Sequence, residues 1–294
     1  MTPLHSPTLP TREGIWLHRY ACLWTACTLM LILAGGLVTS HEAGLAVPDW
    51  PLSYGRFFPP MVGNIFWEHG HRMIAGTVGI LTLILAVWVQ FQEKRTWLKK
   101  LAWISLGAVL IQALLGGLTV LYLLPPAISI FHACLGQTFF CLTFLIAEFL
   151  NPVTAPVMAS PPESGSDRLK PLAIMTAGFL YLQLVLGALL RHTGQGLSFH
   201  ILNAFFVGVH VLLLTMKTLR LFGGDKTLPR TAVMLGGLTT VQFFLGIGAF
   251  VFTKALPRGG YAPEAGEIIL TASHQTLGAL ILATSLFLAV KAPK

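Results

Sequence analysis

Apolar residues run along this chain in eight long stretches, at about 20–39, 72–90, 101–123, 128–149, 172–190, 199–216, 232–252 and 268–290. A helix needs about 20 apolar residues to cross a bilayer core of roughly 30 Å, and each stretch meets or approaches that length. The sixth is the weakest, with Asn203 and His210 inside it. The pattern predicts an all-α polytopic membrane protein of eight transmembrane helices. The first stretch follows some nineteen more polar residues and is long enough for a full span, so it reads as a helix and not as a cleaved leader.

Composition agrees. Of 294 residues, 54% are hydrophobic and 10% charged, against roughly 25% charged in soluble domains, and the mean hydropathy is +0.73. The net charge of +8 would raise the question of nucleic acid in a soluble chain. Here its distribution excludes that class. With eight alternating spans, only Arg56, Arg72, Arg191, Lys254 and Arg258 fall on the side opposite the termini, leaving 14 of the 19 Lys and Arg on the termini's side. The positive-inside rule then sets both termini in the cytoplasm, with the lipid bilayer as the chain's surroundings. The four cysteines, Cys22, Cys27, Cys134 and Cys141, fall inside predicted helices, where thiols behave as small apolar residues.

The second half echoes the first. Three odd-numbered helices carry glutamine followed four residues later by glycine: Gln112–Gly116, Gln183–Gly187 and Gln242–Gly246. The first helix has Gly35 and Gly36 at the matching place, without the glutamine. The even helices each bear a histidine near the outer end: His71, His132, His200 and His274. This predicts two tandem four-helix bundles, 20–149 and 172–290, related by a pseudo-two-fold axis along the membrane normal. A cytoplasmic segment 1–19 would precede them, a Pro- and Ser-containing cytoplasmic linker 150–171 would join them, and 291–294 would form a short tail. The glycines read first as sites of close helix approach, ahead of direct cofactor contact.

Polar groups inside a bilayer are costly and tend to be functional. Four histidines at comparable depth on alternate helices suit heme iron, which takes neutral imidazole from either side of its ring. Facing helices of a bundle can supply such a pair. The natural pairs are His71 with His132, and His200 with His274. His210 competes with His200, but at 1.5 Å per residue it lies about 15 Å deeper than His200 and far from the height of His274. His41, His69 and His192 belong to the outer connections, with solvated or hydrogen-bonding roles; His5 and His18 are cytoplasmic.

Glu68 precedes His71 by three residues, so a helix sets both on one face. The carboxyl reads equally well as a proton relay beside the heme or as a partner that orients His71. Leu197 holds the corresponding place before His200, an asymmetry that suggests chemistry in one unit and electron transfer in the other. The outer loop from Ser40 to Trp67 is rich in proline, glycine and aromatics, suited to the bilayer interface or to covering a heme edge. Arg72 and Arg191, near the same surface, read as contacts to heme propionates or as interfacial anchors.

Several of these runs together resemble the heme A synthase family: Gly35-Gly-Leu-Val-Thr39, the loop run from Gly44 to Leu52 with Pro48-Asp-Trp-Pro-Leu52, Glu68-His-Gly-His71-Arg72, Gln112 with Gly116 and Gly117, the run from Leu186 to Thr193, and His274-Gln-Thr-Leu-Gly278. The resemblance covers nearly the whole chain. It implies a heme-dependent membrane oxidoreductase of the bacterial inner membrane that oxidises a ring methyl of heme O to a formyl group, making heme A for cytochrome oxidase. By that likeness His71 and His132 would hold the substrate heme O, His200 and His274 a permanent heme b, and Glu68 would be the catalytic acid residue. Heme O synthase and an electron donor would be the partners. The alternative class is a di-heme electron-transfer protein or heme carrier with no chemistry on the heme. The sequence departs from the family in three places. Val47 and Ser53 stand in the region where many relatives carry a cysteine pair, Ile201 follows His200 where arginine is common, and the loop before His200 is short.

Overall fold

The computed structural model describes residues 12–152, 169–222, 227–256 and 263–293. Eight helices form: α1 Arg12–Ser40, α2 Asn64–Gln92, α3 Thr96–Leu121, α4 Pro126–Phe149, α5 Leu169–Thr193, α6 Leu197–Leu221, α7 Thr227–Phe250 and α8 Ala265–Lys291. A π turn, Val251–Ala255, extends α7. All eight segments are long and apolar enough to cross a membrane, and the chain is an integral membrane protein. The weak sixth stretch makes a full helix of 25 residues. In a medium without water, helices satisfy their own backbone groups. Threonines and a serine within them return their hydroxyls to carbonyls one turn back, as Thr28 does to Trp24 and Thr82 to Val78.

The helices run beyond their apolar stretches. The start of α1 lies eight residues before the expected 20, taking in Glu13, His18 and Arg19; Arg19 lies over the Trp16 ring at 5.1 Å. Likewise α2 starts at Asn64 and not at 72, so Glu68 and His71 both lie within regular helix. Hydropathy marks only the part of a helix inside hydrocarbon, whereas polar turns continue into the interface. Residues 1–11 and most of the expected linker 150–171 lie outside the described residues.

Helices α1, α2, α3 and α4 pack as a closed ring, each against the next and α4 against α1; α5 to α8 do the same. Between the rings α1 packs on α8, α4 on α5, and α4 on α8. Each ring has its own core. In the first, Trp24 is fully buried, donates its indole N–H to Thr82 Oγ1 at 2.8 Å and meets Phe139 edge-on. The second is built of aliphatic residues such as Leu214, Leu235 and Ile281, with Phe140 of α4 joining it. At the junction the missing side chain of Gly36 leaves room for the backbone of Ala272 on α8.

The turn joining α5 to α6 is three residues long, and both its glycines have positive φ, +71° at Gly194 and +83° at Gly196. Side chains rarely tolerate that region, and this tight turn starts α6 three residues before His200.

Candidate functional site

The four histidines sit in one repeated arrangement. Each lies on an even helix and turns the Cε1 edge of its ring onto a glycine of the odd helix before it. A side chain at Gly35 would meet His71 Cε1 at 3.1 Å; at Gly116, His132 at 3.1 Å; at Gly187, His200 at 3.2 Å; at Gly246, His274 at 2.9 Å. These glycines therefore serve a different end from the backbone approach expected of them: they are notches for imidazole rings. Gly36, beside the first notch, faces α8 instead, near the Ala272 backbone and the Gln275 side chain.

The glutamine four residues before three of these notches has its own target. Gln112 Nε2 donates to the main-chain carbonyl of His132 at 2.7 Å, Gln183 Nε2 to that of His200 at 3.0 Å, and Gln242 Nε2 to that of His274 at 3.0 Å. Two of these amides lie in a reciprocal notch. A side chain at Gly136 would come within 2.9 Å of Gln112 Nε2, and one at Gly278 within 3.3 Å of Gln242 Nε2. In two antiparallel helix pairs, then, a Gln–Gly step on one helix interlocks with a His–Gly step of equal length on the other.

His200 and His274 face each other across the second ring with ring centres 6.3 Å apart. Two imidazoles on opposite sides of one metal ion, each bonded at about 2 Å, set their centres about 6 Å apart. In the first ring, His71 and His132 lie within electrostatic reach of each other. The Nδ1 atoms of His71, His132 and His274 are buried without a hydrogen-bond partner among the described residues. Such orphans cost about 1–3 kcal/mol each, and a bound metalloporphyrin gives imidazole nitrogens a use. His200 and His274 fit heme by their spacing, and His71, His132 and His274 by an unpartnered ring nitrogen. His210 is differently placed: its Nδ1 bonds the Phe206 carbonyl of its own helix at 2.8 Å and its ring lies on Phe179.

Glu68 is buried, 4% exposed. Its Oε1 pairs with Arg72 Nη2 at 2.6 Å and its Oε2 accepts the backbone N–H of Val47 at 2.8 Å. Arg72 Nη1 donates to the carbonyls of Asp49 and Leu52, each at 2.7 Å. Ser53 Oγ meets His69 Nδ1 at 2.8 Å. One turn of α2 thereby docks the outer loop through Glu68, His69 and Arg72, with Arg72 Nη1 on the loop and Nη2 on Glu68. Within the loop, Asp49 takes the N–H groups of Gly55 and Tyr54. The Gly55 bond foremost, with that of Tyr54 and the Arg72 charge, holds its carboxyl below the usual carboxylate range.

The loop also reaches the bundle. A side chain at Gly117 would meet the Trp50 indole at 2.6 Å, so that indole lies against α3 beside the notch of His132. His41 stacks on Trp67 at 4.0 Å. Arg191 Nη2 donates to Ser40 Oγ, which meets Thr271 Oγ1 at 2.8 Å, a polar chain joining α5, α1 and α8.

Sequence spacing did not reveal the loop's attachment to α2, because its partners are a backbone N–H and two carbonyls that any residue provides. It also missed Asn203, whose Nδ2 bonds Gln183 Oε1 at 2.7 Å. The glutamines stand out in the sequence, but their partners do not. The signal was present in the equal steps, Gln to Gly and His to Gly, on consecutive helices.

Residues 61–200 match the model of a family described as cytochrome oxidase assembly protein. The heme A synthase of Symbiobacterium thermophilum is 31% identical over 188 residues, 59% of this chain and 58% of that protein. The heme A synthase of Bacillus pumilus is 30% identical over 194 residues, 62% of this chain and 61% of that one. The match to the heme A synthase of Alkalihalophilus pseudofirmus is longer, 26% identical over 262 residues, 80% of this chain and 87% of the relative. With the first two of these, the chain aligns over about three fifths of the relative's length. In sequence, this chain is similar to these heme A synthases.

Proposed function

We propose that this chain oxidises a ring methyl of heme O to a formyl group, giving heme A. The observation that carries the reading is the difference between two otherwise matching sites. Beside His71 stand the buried Glu68 and Arg72 under a docked loop; beside His200 the corresponding residues are Leu197 and Ile201. An electron carrier has no need of a buried carboxylate at one of its two hemes. The heme A synthases to which the chain is similar support the same reading.

On this proposal His71 and His132 hold heme O in the first ring, and His200 and His274 hold heme b in the second. His200 is preferred to His210 because its ring faces His274 at the spacing of a shared metal. The two rings are taken as duplicates about a pseudo-two-fold axis, supported by the way α1 on α8 mirrors α5 on α4. Bound heme supplies the redox chemistry. Turning a methyl into a formyl group (CH3 + H2O → CHO + 4 H+ + 4 e−) needs an oxidant from outside the chain, such as dioxygen, to take the four electrons, and the protons must leave the site. Glu68 is the acceptor at hand, paired with Arg72 and oriented by the Val47 N–H. Trp50 and the docked loop keep bulk water from that face. Of the two arginines, Arg191 is the better contact for a heme propionate, since Arg72 Nη1 holds the loop and its Nη2 holds Glu68. Heme O synthase upstream and a separate electron donor complete the scheme. Both termini lie on the cytoplasmic side of the bacterial inner membrane, supported by the Lys and Arg asymmetry.

Replacing Glu68 by Gln separates this reading from a heme carrier or electron-transfer protein. The variant should bind hemes as the parent does and convert none of the heme O. Undiminished heme A from the variant removes the catalytic carboxylate from the account.

A further inference from the structure

We propose that Gln112, Gln183 and Gln242 are positioning residues that clamp three of the four ligand histidines, and that His71, which lacks this clamp, is the ligand the protein releases to exchange its heme. The inference rests on the ligation proposed above and goes beyond it, because it ranks the four ligands.

The clamp has two parts. The notch glycine fixes where the ring lies, since its Cε1 edge approaches within about the distance of a single side-chain carbon. The glutamine fixes the height of the residue, by bonding a carbonyl of the histidine's own backbone. That carbonyl also serves the helix, so holding it holds the turn from which the ring projects. In the second ring the amide nitrogen comes close to the imidazole as well, 3.2 and 3.1 Å from the two nitrogens of His200 and 3.4 Å from Nε2 of His274. His200 is held further, because Asn203 binds both Gln183 Oε1 and the Phe179 carbonyl.

Around His71 each of these parts but the notch is replaced by an apolar residue. Leu31 stands four residues before Gly35, where the other odd helices have glutamine, and packs with the first ring's core. Ile74 stands three residues after His71, where α6 has Asn203. Ala75 fills the place of Gly136 and Gly278. Among the described residues no side chain bonds the His71 carbonyl. What holds this stretch of α2 instead is the outer loop, through Glu68, His69 and Arg72. Those partners lie on a segment without helix or sheet, and they belong to the ring proposed to bind substrate. A substrate heme must enter and its product must leave, whereas a resident heme must stay. The distribution of clamps matches that division.

The test uses the heme-loaded protein in detergent. Heme per chain, the paramagnetic-resonance spectrum of ferric low-spin heme and the rate of heme transfer to excess apomyoglobin are measured together. Wild type should show two release rates, the faster belonging to the first ring. Gln242→Leu should release the second-ring heme about ten to a hundred times faster, the usual penalty for losing a residue that orients a metal ligand, and should broaden its low-spin signal. Gln242→Asn, which keeps the amide but is too short to reach, should change both in the same direction and serves if the leucine variant does not fold. In the opposite sense, Leu31→Gln combined with Ala75→Gly should slow release from the first ring and leave the second unchanged. Wild-type release and an unaltered spectrum in the Gln242 variants overturn the clamp. Equal release from both rings in wild type overturns the assignment of His71 as the exchanging ligand. Full second-ring heme in His274→Ala overturns the ligation itself, a failure distinct from the other two.

Discussion

Glu68 and Arg72, one turn apart on α2, form a buried ion pair at 2.6 Å, and each also grips the same outer loop. The pair therefore does two jobs, attaching the loop and presenting a carboxylate beside His71. Arg72→Gln should separate them. Loss of the guanidinium leaves Glu68 buried with one partner, a change that costs about 3–5 kcal/mol when a buried pair is broken. Loop proteolysis should speed up and heme O conversion should fall with it. A variant with a protected loop and normal turnover contradicts this role.

Trp50 lies flat against α3 only because residue 117 is glycine. Gly117→Ala should push the indole off the helix, since a side chain there would come within 2.6 Å of it. The expected result is weaker heme O binding in the first ring with second-ring heme retained, read by heme extraction and tryptophan fluorescence.

Asp49 gives a pH dependence whose sign can be worked out. Its carboxyl titrates below the ordinary value because backbone N–H groups and Arg72 favour the charged form. A depressed folded value means that its contribution is fully present above the unfolded value of about 4 and is lost as pH falls through the folded value. The loop should stay docked at pH 5 to 8 and loosen only in stronger acid, followed by proteolysis rate after brief acid exposure. In Asp49→Asn the acid step should vanish, the loop being looser at every pH.

Away from the hemes, Trp24→Ala removes a fully buried ring and its bond to Thr82. Large-to-small changes of this kind cost about 3–5 kcal/mol. Thermal unfolding in detergent should move down, with the first-ring heme lost before the second.

Much of this was legible in the residues. Eight apolar runs predicted eight helices, because the bilayer fixes both their length and their hydropathy. The positions of His71, His132, His200 and His274 predicted a shared arrangement, because four polar groups at one depth in hydrocarbon demand a common reason. The helix ends were less legible. Arg12–Arg19 and Asn64–His71 are polar enough to read as loop and yet are helical, since interfacial turns need no apolar face. The loop's docking was hidden for another reason. It depends on the main chain at Val47, Asp49 and Leu52, and main-chain groups carry no signature in a sequence. The Gln–Gly and His–Gly steps lay in plain view, but only the antiparallel packing of consecutive helices shows that they interlock.

The central claim is that this chain converts heme O to heme A. It is tested most directly by co-expression with a heme O synthase in a host that makes no heme A, followed by extraction and mass identification of the hemes. The account predicts heme A, or heme O oxidised at the methyl to the alcohol, from the wild-type chain. Recovery of only heme B and unaltered heme O from folded, heme-loaded protein, in a host whose own reductants sustain a known heme A synthase, contradicts it.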